Sequence, residues 1–138
     1  MSFPTPEITE INRPYWDGLQ AGELRYQNCR ACGNKWLPAR RYCPGCLADA
    51  PEWVIASGRG RVVSWVVYHR AYASYFEDKV PYDVTIVELD EGPRLLTNIV
   101  NSQGGTALHP GARVLLDIVT EAGVALAKFR LATPEEGQ

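Results

Sequence analysis

Four cysteines fall in two matched pairs, Cys29-Arg-Ala-Cys32-Gly33 and Cys43-Pro-Gly-Cys46, and the chain has no other cysteine. Each C-x2-C turn can bring two thiolates onto one ion, and the ten residues between the pairs suffice for a short hairpin that closes a tetrahedron of sulfurs. A four-thiolate set leaves no open coordination position, so the expected ion is a structural zinc rather than a catalytic one. Gly33 and Gly45 are expected to supply the backbone freedom of the two tight knuckles. The alternatives are two disulfides or four unrelated thiols. Met1-Ser-Phe-Pro-Thr-Pro6 has neither the basic start nor the apolar core of a secretory signal, which favours a reducing compartment, the cytoplasm, and hence the metal.

A chain of 138 residues with 46% hydrophobic and 22% charged residues has room for one domain and a small appendage. Its apolar runs are too short to span a bilayer, so no membrane partner is expected. The net charge of -2 is unevenly spread: residues 1–24 carry -3, residues 25–70 carry +6 and residues 71–138 carry -5. The basic centre can meet phosphates or an acidic partner. It can equally offset the excess negative charge of four thiolates on one divalent ion.

The expected organisation is an arm and short helix over residues 1–23, a zinc ribbon over 24–56, a barrel over 57–133 and a polar tail over 134–138. Asn12 can cap a helix over residues 13–21, Pro14 is tolerated in its first turn, and Gly22 stops it. Tyr15, Trp16 and Leu19 share one face of a helix too short to stand alone, so it must dock. Strands Leu24–Gln27 and Lys35–Leu37 bracket the first knuckle, in a ribbon with so little core that metal must carry much of its folding energy. From Gly58 onward the pattern turns to strands: Gly60–His69, Pro81–Leu89, Arg94–Val100, Ala112–Thr120 and Val124–Leu131. Asp90-Glu-Gly92 and Glu121-Ala-Gly123 read as hairpin turns. Five strands without a long helix predict a mainly β protein whose C-terminal part is a five-stranded OB-fold barrel.

Six aromatic residues lie between positions 65 and 82: Trp65, Tyr68, Tyr72, Tyr75, Phe76 and Tyr82. Strand-borne Trp65 and Tyr82 are expected in the core. Tyr72, Tyr75 and Phe76 lie between two strands, either as a partner-facing loop or as a lid on one barrel mouth. Single-stranded nucleic acid is the usual ligand of aromatics on such a barrel, but a nucleic-acid face should be basic and residues 71–138, which hold most of the barrel, carry -5. Catalysis has little support. All thiols are assigned to metal, His69 and His109 lack a partnering nucleophile, and neither a nucleophile elbow nor a phosphate loop is present.

The order of these features is distinctive. A Tyr-Trp helix precedes Cys-x2-Cys-Gly, Pro-x-Arg and Cys-Pro-x-Cys, followed by Gly58-x-Gly60-x-Val62, Pro81-Tyr82 and Val87-Glu-Leu-Asp-Glu-Gly92. Over residues 12–131 the chain resembles the rubredoxin-like zinc-ribbon plus OB-fold proteins long catalogued as a domain of unknown function. That resemblance implies zinc on Cys29, Cys32, Cys43 and Cys46. It also implies a non-catalytic companion of a thiolase, acetyltransferase, aldolase or hot-dog-fold hydratase that positions or channels acyl-CoA thioesters. A stand-alone acyl-CoA binder and a nucleic-acid module remain the alternatives. The resemblance carries no sharp CoA motif, so contact residues are expected from side-chain chemistry: Arg40, Arg41, Arg59 and Arg61 toward CoA phosphates or an acidic patch. Tyr72, Tyr75 and Phe76, with Trp65, His69 and Tyr82 near them, would face the acyl-CoA or the partner.

Overall fold

A computed structural model describes residues 7–49, 51–69, 80–121 and 123–133. Helix α1 spans Arg13–Gln20, with Pro14 in its first turn. Asn12 stands at the N-cap without capping a helix amide. Its Oδ1 accepts the Thr9 amide at 2.7 Å and its Nδ2 donates to the Glu7 carbonyl at 2.9 Å, so it ties down the incoming chain instead. The helix ends where Gly22 takes φ +85° and the Glu23 amide reaches back to the Gly18 carbonyl at 2.7 Å. Leu19 is buried, and Tyr15 and Trp16 meet edge to face with centroids 5.1 Å apart, packed against the core.

The ribbon is a three-stranded antiparallel sheet of β1 (Arg25–Cys29), β2 (Lys35–Trp36) and β3 (Pro51–Ile55), in the order β2-β1-β3. Strand β3 is absent from the sequence expectation. Its opening proline is tolerated because the first position of a strand can do without an amide hydrogen bond. It pairs with all of β1, from Arg25 opposite Ile55 to Cys29 opposite Pro51.

The barrel comprises β4 (Arg59–Tyr68), β5 (Tyr82–Leu89), β6 (Arg94–Thr97), β7 (Arg113–Glu121) and β8 (Val124–Leu131), in the order β6-β5-β4-β7-β8. The register of β4 on β5 slips between Val62 and Ser64, so Val63 is an inserted residue. The bulge switches the inward parity of β4 from Gly60 and Val62 to Trp65 and Val67, and so bends one strand around the barrel. Closure comes from a parallel bridge between Ile99, just beyond β6, and Phe129 of β8. The Phe129 amide donates to the Asn98 carbonyl at 3.2 Å, and its carbonyl accepts the Val100 amide at 2.8 Å.

A single apolar cluster runs through all three parts. Leu19 of α1, Leu24 before β1 and Tyr26 of β1 pack with Val62, Val87, Leu89, Ile99, Val114 and the fully buried Phe129 of the barrel. Cys29, Trp36 and Cys43 form a separate small cluster at the far end of the ribbon.

The buried face of β5 is the opposite of the apolar-rich one. Asp83, Thr85, Val87 and Leu89 point inward, whereas Tyr82 lies on the outer face, stacked on Tyr68 at 5.3 Å. The expected core role of Tyr82 is therefore corrected. Burial of Asp83 is possible because its carboxylate is saturated: it accepts Thr85 Oγ1 at 2.5 Å, the Ile99 amide at 2.9 Å and Ser102 Oγ at 2.8 Å. These bonds fasten the segment after β6 to the barrel interior.

Candidate metal centre and contact surfaces

The two knuckles are near copies. The Gly33 amide donates to the Cys29 carbonyl and the Leu47 amide to the Cys43 carbonyl, both at 2.8 Å. The Cys29 and Cys43 amides in turn donate to the Asn34 and Ala48 carbonyls at 2.8 and 3.0 Å. Gly33 takes φ +78° as expected, but the matching left-handed residue of the second knuckle is Leu47, at φ +65°, and not Gly45. Gly45 contributes its amide, which points at Cys43 Sγ from 3.3 Å.

All four sulfurs lie within 4.8 Å of one another, with Cys29 to Cys46 and Cys32 to Cys43 both at 3.6 Å. Sulfurs each about 2.3 Å from a tetrahedral zinc are about 3.8 Å apart, so the observed spacing fits that ion. The alternative of two disulfides fails, since no S–S bond is present and all four cysteines are free. Amide donors converge on the two buried sulfurs, whereas at Cys46 the Ala48 amide is outweighed by the sulfurs of Cys29 and Cys32, which raise that thiol to about 12. The Cys32 amide approaches Cys29 Sγ at 3.4 Å, the Cys46 amide approaches Cys43 Sγ at 3.4 Å, and Asn34 Nδ2 stands 3.8 Å from Cys43 Sγ. The Cys32 amide is the main reason the Cys29 thiol is held below its ordinary range. At Cys43 burial opposes ionisation, but the amides of Cys46 and Gly45 outweigh it and lower the thiol to about 6. Four like charges this close need a divalent cation between them. The residues present can hold zinc, with Cys29 and Cys43 buried and Cys32 and Cys46 toward solvent.

The other candidate residues do not form one site. Arg40 and Arg41 are exposed on the ribbon after β2, where the Arg40 amide is anchored by the buried Gln27 side chain at 2.6 Å and the Arg41 guanidinium lies over the Tyr42 ring. Arg59 and Arg61 project from β4, and Arg61 is paired with Glu88 at 2.6 Å. Trp65 faces the core, half-buried, and His69 is exposed just past β4. Tyr72, Tyr75 and Phe76 lie outside the described residues.

Two surfaces went unread in the sequence. The outer face of β4, β5 and β6 is an apolar sheet face carrying Val66, Tyr68, Tyr82, Val84, Ile86 and Leu96. Val66 is 55% and Leu96 70% exposed, which is unusual for side chains of this kind in a cluster. Beside it runs a groove of about 650 Å³ between Tyr15 and Trp16 of α1, the Leu37-Pro38-Ala39 segment, and Arg94, Leu95 and Leu96 of β6. Burial raises the Tyr15 hydroxyl to about 12, so that side chain stays neutral. The alternation of β6 was visible, but nothing in its sequence shows that α1 stops short of covering it.

Comparison with known proteins agrees with this geometry. Residues 16–52 match the ChsH2 rubredoxin-like zinc ribbon domain and residues 53–119 match the ChsH2 C-terminal OB-fold domain. A DUF35 domain-containing scaffold protein of Methanothermobacter thermautotrophicus is 37% identical over 95 residues, covering 68% of this chain and 71% of that one. The chain belongs to the DUF35 family. A solved structure of the Ltp2-ChsH2(DUF35) aldolase contains a chain 33% identical to this DUF35 protein, with a TM-score of 0.83 over 94% of this chain and 100% of that chain. A probable enoyl-CoA hydratase alpha subunit of Thermomonospora curvata is 34% identical over 134 residues, 96% of this DUF35 chain. The chain spans 41% of that relative's length. Among the described residues no helix is long and apolar enough to cross a membrane.

Proposed function

We propose that this DUF35 chain is a non-catalytic accessory subunit of an acyl-CoA-processing enzyme of the aldolase, hydratase or thiolase kind, and that it helps to position the acyl-CoA thioester. The observation that carries the reading is the likeness, along nearly the whole chain, to a component of the Ltp2-ChsH2(DUF35) aldolase. The site chemistry supports it. A closed tetrathiolate zinc holds shape and leaves no position for substrate, and His69 and His109, the two histidines, are both exposed with no nucleophile bonded to them among the described residues. The exposed apolar face of β4–β5–β6 has the composition of a protein interface and lacks the basic stripe that a nucleic-acid partner needs.

The test is co-expression with an acyl-CoA enzyme of the aldolase, hydratase or thiolase kind from the same organism, followed by size-exclusion chromatography and activity of each component and the mixture. Co-elution, together with no turnover by this chain alone, is the expected result. Acyl-CoA turnover by the isolated chain that disappears in His69→Ala or His109→Ala would overturn the accessory role. Tight binding of single-stranded nucleic acid with a steep salt slope would favour the other class.

A further inference from the structure

The closure of the barrel is incomplete, and the unclosed part is a strand edge. The Leu89 amide donates to the Pro93 carbonyl at 2.8 Å, which makes Leu89–Pro93 a hydrogen-bonded pair. The register then pairs Val87 with Leu95 and Thr85 with Thr97 in the same sense. It follows that the backbone groups of Arg94, Leu96, Asn98 and Val100 point away from β5. Two of these confirm the parity, because the Asn98 carbonyl and the Val100 amide are the groups that bond Phe129 of β8. Beyond Phe129 β8 diverges: the Ala127 carbonyl is taken by the Thr97 hydroxyl at 2.7 Å rather than by a β6 amide. Arg94 and Leu96 therefore present amides and carbonyls with no strand opposite them among the described residues.

These open groups face the groove. Leu95 points inward and Leu96 and Ile86 outward, yet all three line it, which requires the groove to pass across the free edge of β6. Its far wall is Tyr15, Trp16, Leu37 and Pro38. A second copy of β6 would arrive with its own helix and ribbon wall, so the gap suits a lone strand. At its rim Arg94 shares the one carboxylate of Glu88 with Arg61 of β4, at 2.9 and 2.6 Å, so the three side chains together keep one positive charge.

We propose that the free edge of β6 is a strand-addition site, which takes an extended segment of a partner protein that is apolar at alternate positions and acidic opposite Arg94. Main-chain bonds to Arg94 and Leu96 supply affinity, and the groove between Tyr15, Leu37 and Leu96 takes the alternate side chains. This goes beyond the accessory-subunit reading and does not depend on which reaction the partner catalyses.

The test begins with amide hydrogen exchange on the zinc-loaded full chain. In the free protein the Leu95 and Thr97 amides should be protected, while those of Arg94 and Leu96 exchange rapidly. Phage-displayed linear peptides selected on the same protein should converge on alternating apolar residues with one acid, and the synthetic winner should protect Arg94 and Leu96. Leu96→Pro removes an outward amide while sparing the β5 ladder, so it should keep the melting temperature and weaken that peptide at least tenfold. Protection of Arg94 and Leu96 in the free chain would overturn the proposal. So would failure to enrich any peptide, or a winner that leaves both amides exchanging. If Leu96→Pro does not fold, the exchange pattern of the unaltered chain with and without peptide decides. A peptide that binds as described, alongside an acyl-CoA enzyme that does not, would separate this site from the proposed function.

Discussion

The two knuckles invite an exchange of one residue type. Gly33 and Leu47 occupy equivalent positions, with φ of +78° and +65°, and their amides make the same bond to the first cysteine of each pair. An L-residue with a Cβ costs about 1–2 kcal/mol in this region of backbone space, whereas glycine there loses about 0.5–1 kcal/mol through its freer unfolded chain. Leu47 is 76% exposed, so replacing its side chain sacrifices little burial. Leu47→Gly should therefore stabilise the closed knuckle by about 0.5–1 kcal/mol, or roughly twofold to fivefold in zinc retention. Gly33→Ala meets no atom within 4 Å, so its cost is conformational alone. It should weaken retention about fivefold, near 1 kcal/mol. The assay is competition for zinc against a chromophoric chelator, with both variants and the parent at one pH. If Leu47→Gly loses zinc more readily than the parent, or Gly33→Ala equals it, backbone strain does not govern the knuckles. Leu47 would then be held by contacts of its side chain.

Metal analysis should return one zinc per chain, and Cys→Ser at any of Cys29, Cys32, Cys43 or Cys46 should abolish retention. Chelation should melt the knuckles but leave amide protection in β1 and β3, because Tyr26 and Val54 pack on the barrel core. Asp83→Asn sets an amide against the Ile99 amide and two hydroxyl donors, so it should lower stability by about 2–3 kcal/mol, read as a shifted urea midpoint. Ser102→Ala should cost less. The bonds from Arg61 and then Arg94 hold the Glu88 carboxyl below its ordinary range. Its stabilising contribution is thus complete above the unfolded value of about 4.3 and fades as pH falls through the lower folded value. Melting scans from pH 6 to 3 should fall less steeply for Glu88→Gln; identical slopes would show that the ion pairs are not linked to folding.

The cysteines were legible because ligand spacing is a local property, and the barrel because alternating strands and hairpin turns are local too. What escaped was set by distant partners. In β5 the residues Tyr82, Val84 and Ile86 look more like a core than Asp83 and Thr85 do. The buried face was decided by the loop residues Ile99 and Ser102, which arrive from more than fifteen positions away to satisfy Asp83. Strand β3 was hidden by its proline and short length, and it exists because β1 offers it a full register. At the second knuckle the glycine drew attention to position 45, yet hydrogen bonding to the Cys43 carbonyl forces the unusual backbone onto Leu47.

The two domain matches meet between residues 52 and 53, which is inside β3. The cluster of Leu19, Leu24 and Tyr26 with Val62, Leu89 and Phe129 straddles that line. A chimera that exchanged ribbon for ribbon at the seam would sever β3 mid-strand, between the partners of Asn28 and Gln27, and would set one relative's Tyr26 against another's Phe129. Recombination among such chains should therefore succeed only when α1, β1 and β3 travel with the barrel, leaving the two cysteine knuckles and β2 as the exchangeable tip.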